Sequence, residues 1–192
     1  MKNRISWLGQ FIAQPCQIAS LTPASSDLSR KMAQAALKNL PEDGRVIEIG
    51  CGFGAITKQL FDLGLSRENL VSIDLSRKAV EKTRDLGGRA MCVDARYLDS
   101  LVRELGWPNC HAVVSSLGLL SLDTPTREKI LRAADEALTQ GGVFVQYTYG
   151  RGDPTKGVAQ RLGWQNTGKE FTWRNIPPAY VWRWVKPGIP EL

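Results

Sequence analysis

The sequence predicts a three-layer α/β sandwich built on a doubly wound, mostly parallel sheet of seven strands with an antiparallel edge strand. Three observations carry this. Short apolar runs alternate with segments of helical period along most of the chain. The run Val46-Ile47-Glu48-Ile49 ends in a glycine-spaced turn, Gly50-Cys51-Gly52-Phe53-Gly54, after which Ala55 to Phe61 restarts with helical spacing. Acids then recur near the carboxyl ends of successive runs, at Glu48, Asp74 and Asp94. Strands covered by helices on both faces read as near-continuous apolar runs, because neither face meets water.

The elements follow in order. Ser26 to Leu40 carries Leu28, Met32, Ala35, Ala36 and Leu37 near helical period, with Asp27 or a neighbouring serine as its cap and Pro41 as its stop. Val46 to Ile49 is the first strand and Leu70 to Asp74 the second; a helix starts at Ser76, and Ala90 to Ala95 is a third strand. A short helix near Leu98 to Leu105, a strand from His111 to Ser115, a helix from Thr126 to Leu138 and a strand from Gly142 to Thr148 complete the alternation. Phe171 to Arg174 and Tyr180 to Val185 form a hairpin-like edge around Asn175 to Ala179. The 192 residues suit a single domain, 1–192, in which residues 1–24 form an amphipathic segment facing membrane or substrate. In that segment Ile5, Leu8, Phe11 and Ile12 share one helical face, which packs either on a membrane interface or on the protein's own sheet.

The glycine turn points to a nucleotide-like ligand, since glycine permits the required backbone angles and lets a ligand touch the backbone. Dinucleotide folds use G-x-G-x-x-G with pyrophosphate at the helix N-terminus. Here Gly50, Gly52 and Gly54 are spaced by two, and Glu48 directs a carboxylate at the site. A carboxylate repels pyrophosphate and suits a cation, such as the ammonium of S-adenosylmethionine (AdoMet). Asp74 follows the turn by roughly the 20 residues at which such folds set a carboxylate against ribose hydroxyls.

Composition narrows the class. No stretch approaches a membrane-spanning length, and residues 1–10 lack a secretory hydrophobic core, so a cytoplasmic protein is expected. Cys16, Cys51, Cys92 and Cys110 have neither CxxC spacing nor a histidine cluster; no metal is expected, and the cysteines read as small buried fillers. The single histidine, His111, reads as structural. The net charge of +6 sits at the two ends: residues 1–40 hold five bases against one acid, and residues 151–192 hold seven against three. Tryptophan follows the same partition, with Trp7 near the start and Trp164, Trp173, Trp182 and Trp184 near the end. Bases mixed with indoles suit an anionic membrane surface, and equally a nucleic acid.

The pattern E-x-G-x-G-x-G from Glu48 to Gly54 resembles the first motif of the class I AdoMet-dependent methyltransferases, whose Rossmann-like order of elements the stretch from about Arg45 to Gly150 follows. Pro15 to Ser26, Val113 to Leu122, Phe144 to Gly150 and Trp173 to Ala179 look like the short bacterial phospholipid N-methyltransferases, which are related in their core to the ribosomal RNA adenine dimethylases and convert phosphatidylethanolamine stepwise to phosphatidylcholine. One departure stands at Ser116 and Gly118, which fill the glycine and proline positions of that family's Ser-Gly-Leu-Pro-Leu loop. The resemblance implies AdoMet as cofactor, S-adenosylhomocysteine as product, and a cofactor site at Glu48, Gly50, Cys51, Gly52, Gly54, Asp74, Leu75, Asp94, Ala95 and Ser115, with Asp94 accepting from the adenine amino group. It further implies a phospholipid substrate and peripheral attachment to the inner face of the cytoplasmic membrane.

Methyl transfer from a sulfonium asks the protein to present a neutral amine in line and to exclude water. A phosphoethanolamine headgroup adds a need for cationic donors and aromatic faces. Tyr147, Tyr149, Arg174, Asn175 and Tyr180 are the candidates for this work. The alternatives left open are an ornithine-lipid substrate, a nucleic-acid adenine acceptor, and a non-catalytic AdoMet-binding regulator. The short tail after Val185 leaves little with which to grasp a folded RNA, which favours lipid.

Overall fold

A computed structural model describes residues 24–188. The stripe Ile5, Leu8, Phe11 and Ile12, together with Cys16 and residues 1–23 of the expected N-terminal segment, lies outside the described residues.

The first helix among the described residues, α1 (Ser26–Leu37), begins where the Ser25 hydroxyl accepts the Leu28 N–H at 3.2 Å, satisfying one of the four N–H groups that a helix start leaves free. Asp27 is not the cap; its carboxylate accepts from the Thr172 hydroxyl instead. Then come β1 (Val46–Ile49), α2 (Ala55–Asp62), β2 (Leu70–Asp74), α3 (Arg77–Arg84), β3 (Arg89–Cys92), α4 (Leu98–Glu104) and β4 (Cys110–Ser115). The chain ends with α5 (Thr124–Ala137), β5 (Leu138–Thr148), α6 (Val158–Arg161), β6 (Gln165–Thr172) and β7 (Ala179–Val185).

The seven strands lie in the order β3-β2-β1-β4-β5-β7-β6. The strands from β3 through β5 run parallel, whereas β7 is antiparallel to both β5 and β6. The fold is therefore the expected three-layer α/β sandwich, with one correction: the reversed strand is second from the edge, and β6 at the edge runs parallel to β5. The chain must pass outward to β6 before it turns back into the slot beside β5.

Strand alternation sorts side chains onto two faces. On one, Ile47, Ile49, Val71, Ile73, Val113 and Phe144 pack against Leu98, Leu101, Ile130 and Leu131 of α4 and α5. On the other, Val46, Leu70, Val114 and Val145 meet Leu28 and Met32 of α1 and Ile56 and Leu60 of α2. Each of these large side chains contributes about 1.5–3 kcal/mol by leaving water. Cys51 and Cys110 are buried as expected, but Cys92 is exposed, because β3 is the last strand on its side of the sheet and no neighbour covers it. His111 is structural: its Nδ1 accepts the Arg45 N–H at 3.1 Å.

β1 has β2 on one side and β4 on the other, so the winding direction reverses between β1 and β4. In doubly wound sheets the crevice beyond the carboxyl ends of the strands at such a reversal is the natural ligand site.

Candidate active site

A cavity of about 320 Å³ opens at that reversal. Gly50, Ile73, Asp74, Leu75, Val93 and Asp94 form its walls on the β1, β2 and β3 side; Leu117, Leu122 and Ile130 close it from the β4 loop and α5. Ala95, Arg96 and Thr126 complete the lining.

The glycine turn is fastened by backbone bonds: the Gly50 and Cys51 N–H groups both donate to the Ile73 carbonyl, at 2.8 and 3.0 Å. Gly50 has φ +76°, and a Cβ there would stand 2.8 Å from the Leu117 side chain, closing the cavity. Gly54 has φ +80° as the N-cap of α2, and a Cβ would stand 2.4 Å from Leu86. Glycine is thus required at both positions by angle and by space.

Asp74 lies at the mouth, its Oδ2 accepting the Gly52 N–H at 3.0 Å and its Oδ1 the Ser76 N–H at 2.8 Å. Asp94 stands two residues beyond the end of β3, not within a strand, and caps the turn Ala95–Tyr97. Its Oδ1 accepts the Arg96 N–H at 2.9 Å, and its Oδ2 meets the Arg96 guanidinium at 2.6 and 2.9 Å. Those hydrogen bonds from Arg96 hold its carboxyl below the usual range.

Glu48 departs from expectation. Ile47 and Ile49 take the cavity face, so by alternation Glu48 points the other way, fully buried beneath α2. Its Oε2 accepts from the Thr57 hydroxyl and, at 2.8 Å, from Ser72, while Oε1 has no partner. Burial pushes this carboxyl up to about 7 against the donated hydrogen bonds. Among the other predicted cofactor residues, Gly50, Asp74, Leu75, Asp94 and Ala95 line the cavity; Cys51, Gly52 and Gly54 belong to the turn that follows Gly50 and Ser115 ends β4, and none of these four is in its lining. The Cys51 thiol is pushed up to about 12 by burial, which leaves it unreactive. Ser115 is buried and accepts the Leu117 N–H at 3.3 Å.

The acceptor-side candidates divide. Tyr147 and Tyr149 meet edge-on with ring centroids 5.5 Å apart, and their hydroxyls are hydrogen-bonded to one another. Asn175 joins them through Tyr149, while also accepting the Ser25 N–H at 2.8 Å and donating to the Pro177 carbonyl at 2.7 Å. Both tyrosines belong to the α1 face of the sheet, near the carboxyl end of β5, and neither lines the cavity. Tyr180 is not with them. It faces the opposite layer, beside Phe171 at 4.9 Å and Lys169 at 4.5 Å, its hydroxyl accepting from Arg151 at 3.2 Å. Arg174 is exposed in the β6–β7 loop over the Trp173 ring at 5.7 Å, and the nearby Glu170 on β6 pairs with Lys31.

Two side chains missed from the sequence hold the walls. Gln146 is the β5 residue on the cavity face; its Nε2 donates to the Leu117 carbonyl at 3.0 Å and its Oε1 is buried without a partner. Arg127 is buried and donates to the Leu119 and Leu122 carbonyls at 3.3 and 3.0 Å, pinning the loop after β4. The spacing Thr126, Ile130 on α5 was the one available signal for the far wall, and nothing local marked it as facing a ligand.

The walls fit AdoMet. Carboxylates stand at the ends of two adjacent strands, apolar side chains flank the space between, and a glycine backbone forms the floor. Glu48, fully buried behind the turn, is not among the residues that line this space. Among the described residues no group of His, Cys, Asp or Glu side chains is arranged to hold a metal ion.

Comparison with known proteins agrees with this geometry. Residues 46–142 match a family described as a methyltransferase domain. The ornithine lipid N-methyltransferase of Singulisphaera acidiphila is 30% identical over 159 residues, covering 77% of this chain and 79% of that protein. Of solved structures, TrmN from Thermus thermophilus has a TM-score of 0.68 at 18% identity, over 90% of this chain and 52% of its own, so the present chain spans about half its length. Magnesium protoporphyrin IX methyltransferase (ChlM) from Synechocystis with bound SAM has a TM-score of 0.64 at 13% identity, over 97% of this chain and 86% of its own. NodS, an N-methyltransferase from Bradyrhizobium japonicum in complex with S-adenosylhomocysteine, has a TM-score of 0.63 at 12% identity, over 84% and 86%. The structural likenesses establish the fold.

Proposed function

Because the chain belongs to the class I AdoMet-dependent methyltransferases, we propose that its acceptor is the amine of a membrane lipid headgroup, with an ornithine lipid as the first substrate. The chain is an AdoMet-dependent N-methyltransferase. The observation that carries the lipid reading is its likeness, over most of both chains, to an enzyme that methylates ornithine lipid.

Bound AdoMet supplies an electrophilic methyl group on a sulfonium. Asp74 and Leu75 would hold its ribose and Asp94 and Ala95 its adenine, with the Gly50 backbone as floor. The remaining work is orientation and exclusion of water. Burial raises the Tyr147 and Tyr149 hydroxyls, so both remain neutral phenols at physiological pH and orient the headgroup without abstracting its proton. Their rings offer π faces to a headgroup that becomes a fixed cation. Arg174 would anchor the anionic group, a carboxylate in an ornithine lipid or a phosphate in a phospholipid.

Phosphatidylethanolamine, methylated toward phosphatidylcholine, is the second reading, favoured by the Phe144 to Gly150 and Trp173 to Ala179 segments. Mass spectrometry of lipids from cells expressing the chain tests both. The proposal expects ornithine lipids heavier by one methylene per transfer; an unchanged lipid profile would overturn it.

A further inference from the structure

Among the described residues six large apolar side chains stand exposed: Phe53, Leu75, Tyr97, Phe171, Trp173 and Ile176. The topology puts all of them at one end of the sheet. Phe53 lies in the turn after β1, Leu75 follows β2, and Tyr97 is in the turn after β3. Phe171 is next to last in β6, which runs parallel to β5, and Trp173 and Ile176 occupy the following loop. That loop is at the carboxyl end of β5, since Thr148 pairs with Tyr180. None of the six is at the amino edge. Seven strands spaced by about 4.8 Å make this edge roughly 30 Å long.

Scattered exposed apolar residues are ordinary, but segregation of every large one to a single edge is not. The same edge is basic. Arg77 and Lys78 open α3, Arg151 and Lys156 follow β5, and Arg174 adjoins Trp173, all of them exposed. Of the acids at this edge, Asp94 is paired with Arg96, while Asp27, Asp74, Asp123 and Asp153 accept local hydrogen bonds from neutral groups and keep their charge, so the five exposed bases leave a small positive excess. Outward cations beside inserted aromatic and aliphatic side chains complement an anionic lipid surface.

We propose that the carboxyl edge of the sheet is the membrane-docking face, with Phe53, Trp173 and Ile176 entering the headgroup layer of an anionic bilayer around the mouth of the cofactor cavity. Leu75 belongs both to the exposed edge and to the cavity wall, so docking sets the mouth against the lipid surface. A headgroup then reaches the site without its acyl chains leaving the bilayer. This deepens the lipid-amine reading and rests on it, and it assigns attachment to the described residues.

The test is cosedimentation of the full chain with phosphatidylglycerol and with phosphatidylcholine vesicles, comparing the parent with Trp173→Ala/Ile176→Ala and with Phe53→Ala. AdoMet binding by calorimetry checks that the variants fold, and light scattering reads their oligomeric state. We expect the double variant to bind anionic vesicles about tenfold more weakly with AdoMet binding unchanged, and Phe53→Ala to lose less vesicle binding. Parent-like vesicle binding by the variants, a parent that binds no vesicles, or variants altered only in self-association would each overturn the docking face. Methyl transfer to detergent-dispersed aminolipid separates the two readings: if it persists while vesicle binding proves independent of the edge, only the docking face fails. If the dispersed lipid is not methylated, the substrate reading fails.

Discussion

Asp74 accepts the backbone N–H of Gly52 at 3.0 Å across 22 residues of sequence, so the acid at the end of β2 holds the glycine turn after β1. The same carboxylate takes the Ser76 N–H at the start of α3. One side chain therefore fixes two segments of the cavity rim, and the ribose role assigned to it depends on that rim being in place. Asp74→Ala removes both fastenings and the acceptor; at about 1.5–3 kcal/mol for hydrogen bonds to a charged group, AdoMet affinity should fall about 10- to 100-fold. Asp74→Asn, which keeps one acceptor, should fall less. Titration calorimetry checks the order, and equal affinity in both variants and the parent would contradict it.

Asp94 and Arg96 are a contrasting pair. Both side chains are partly exposed, and solvent screening leaves such pairs little net weight in stability. Arg96→Ala should therefore leave the urea midpoint nearly unchanged, while Asp94→Ala weakens AdoMet binding by about tenfold or more. Urea unfolding and calorimetry on the same two variants separate the roles.

Glu48 makes stability depend on pH. Its folded-state value, about 7, lies above the ordinary 4.5, so the native protein binds the proton more tightly than the unfolded chain. The contribution is complete below about 4.5 and is lost as pH rises through about 7. Across that window it amounts to about 3 kcal/mol, taking 1.36 kcal/mol per unit. Without ligand, the parent should lose stability between pH 5 and pH 8, and Glu48→Gln should lack that slope. Urea midpoints at the two values check this; the same slope in the variant would assign it elsewhere.

Arg127 pins the loop that carries Leu117 and Leu122. Arg127→Ala removes the guanidinium donor from the Leu122 carbonyl, leaves the Leu119 carbonyl with only the Leu122 N–H at 3.4 Å, and opens space in the layer beside α5. A loss of about 2–4 kcal/mol in stability is expected, with weaker AdoMet binding because Leu122 is a cavity wall. Thermal unfolding with and without AdoMet measures both.

The acceptor side is tested through Tyr149. Tyr149→Phe keeps the ring against Tyr147 and removes the hydroxyl shared with Asn175. It should lower kcat for lipid methylation severalfold and leave AdoMet affinity unchanged, as read by initial rates and calorimetry on one preparation.

What could be read from the sequence follows the range of the forces involved. The strand at Val46–Ile49, the turn through Gly54 and the acid Asp74 are set by neighbours a few residues away, and all appear where the pattern put them. The orientation of Glu48 is encoded in the alternation as well, since Ile47 and Ile49 leave it the opposite face. The position of β7 between β5 and β6 was not legible, because a hairpin reads the same whichever of its strands is outermost. Ile130, Leu117 and Arg127 become cavity residues only when α5 packs on the sheet, which no local spacing encodes. Tyr147 and Tyr180 looked alike in sequence, and the register of β5 with β7 sends them to opposite faces.

The most direct test of the central claim is methyl transfer by the purified full chain from labelled AdoMet to a panel of ornithine lipid, phosphatidylethanolamine, RNA and soluble amines. The account predicts label in lipid, with ornithine lipid the substrate of higher kcat/KM. Label in RNA or a soluble amine with none in either lipid would contradict it.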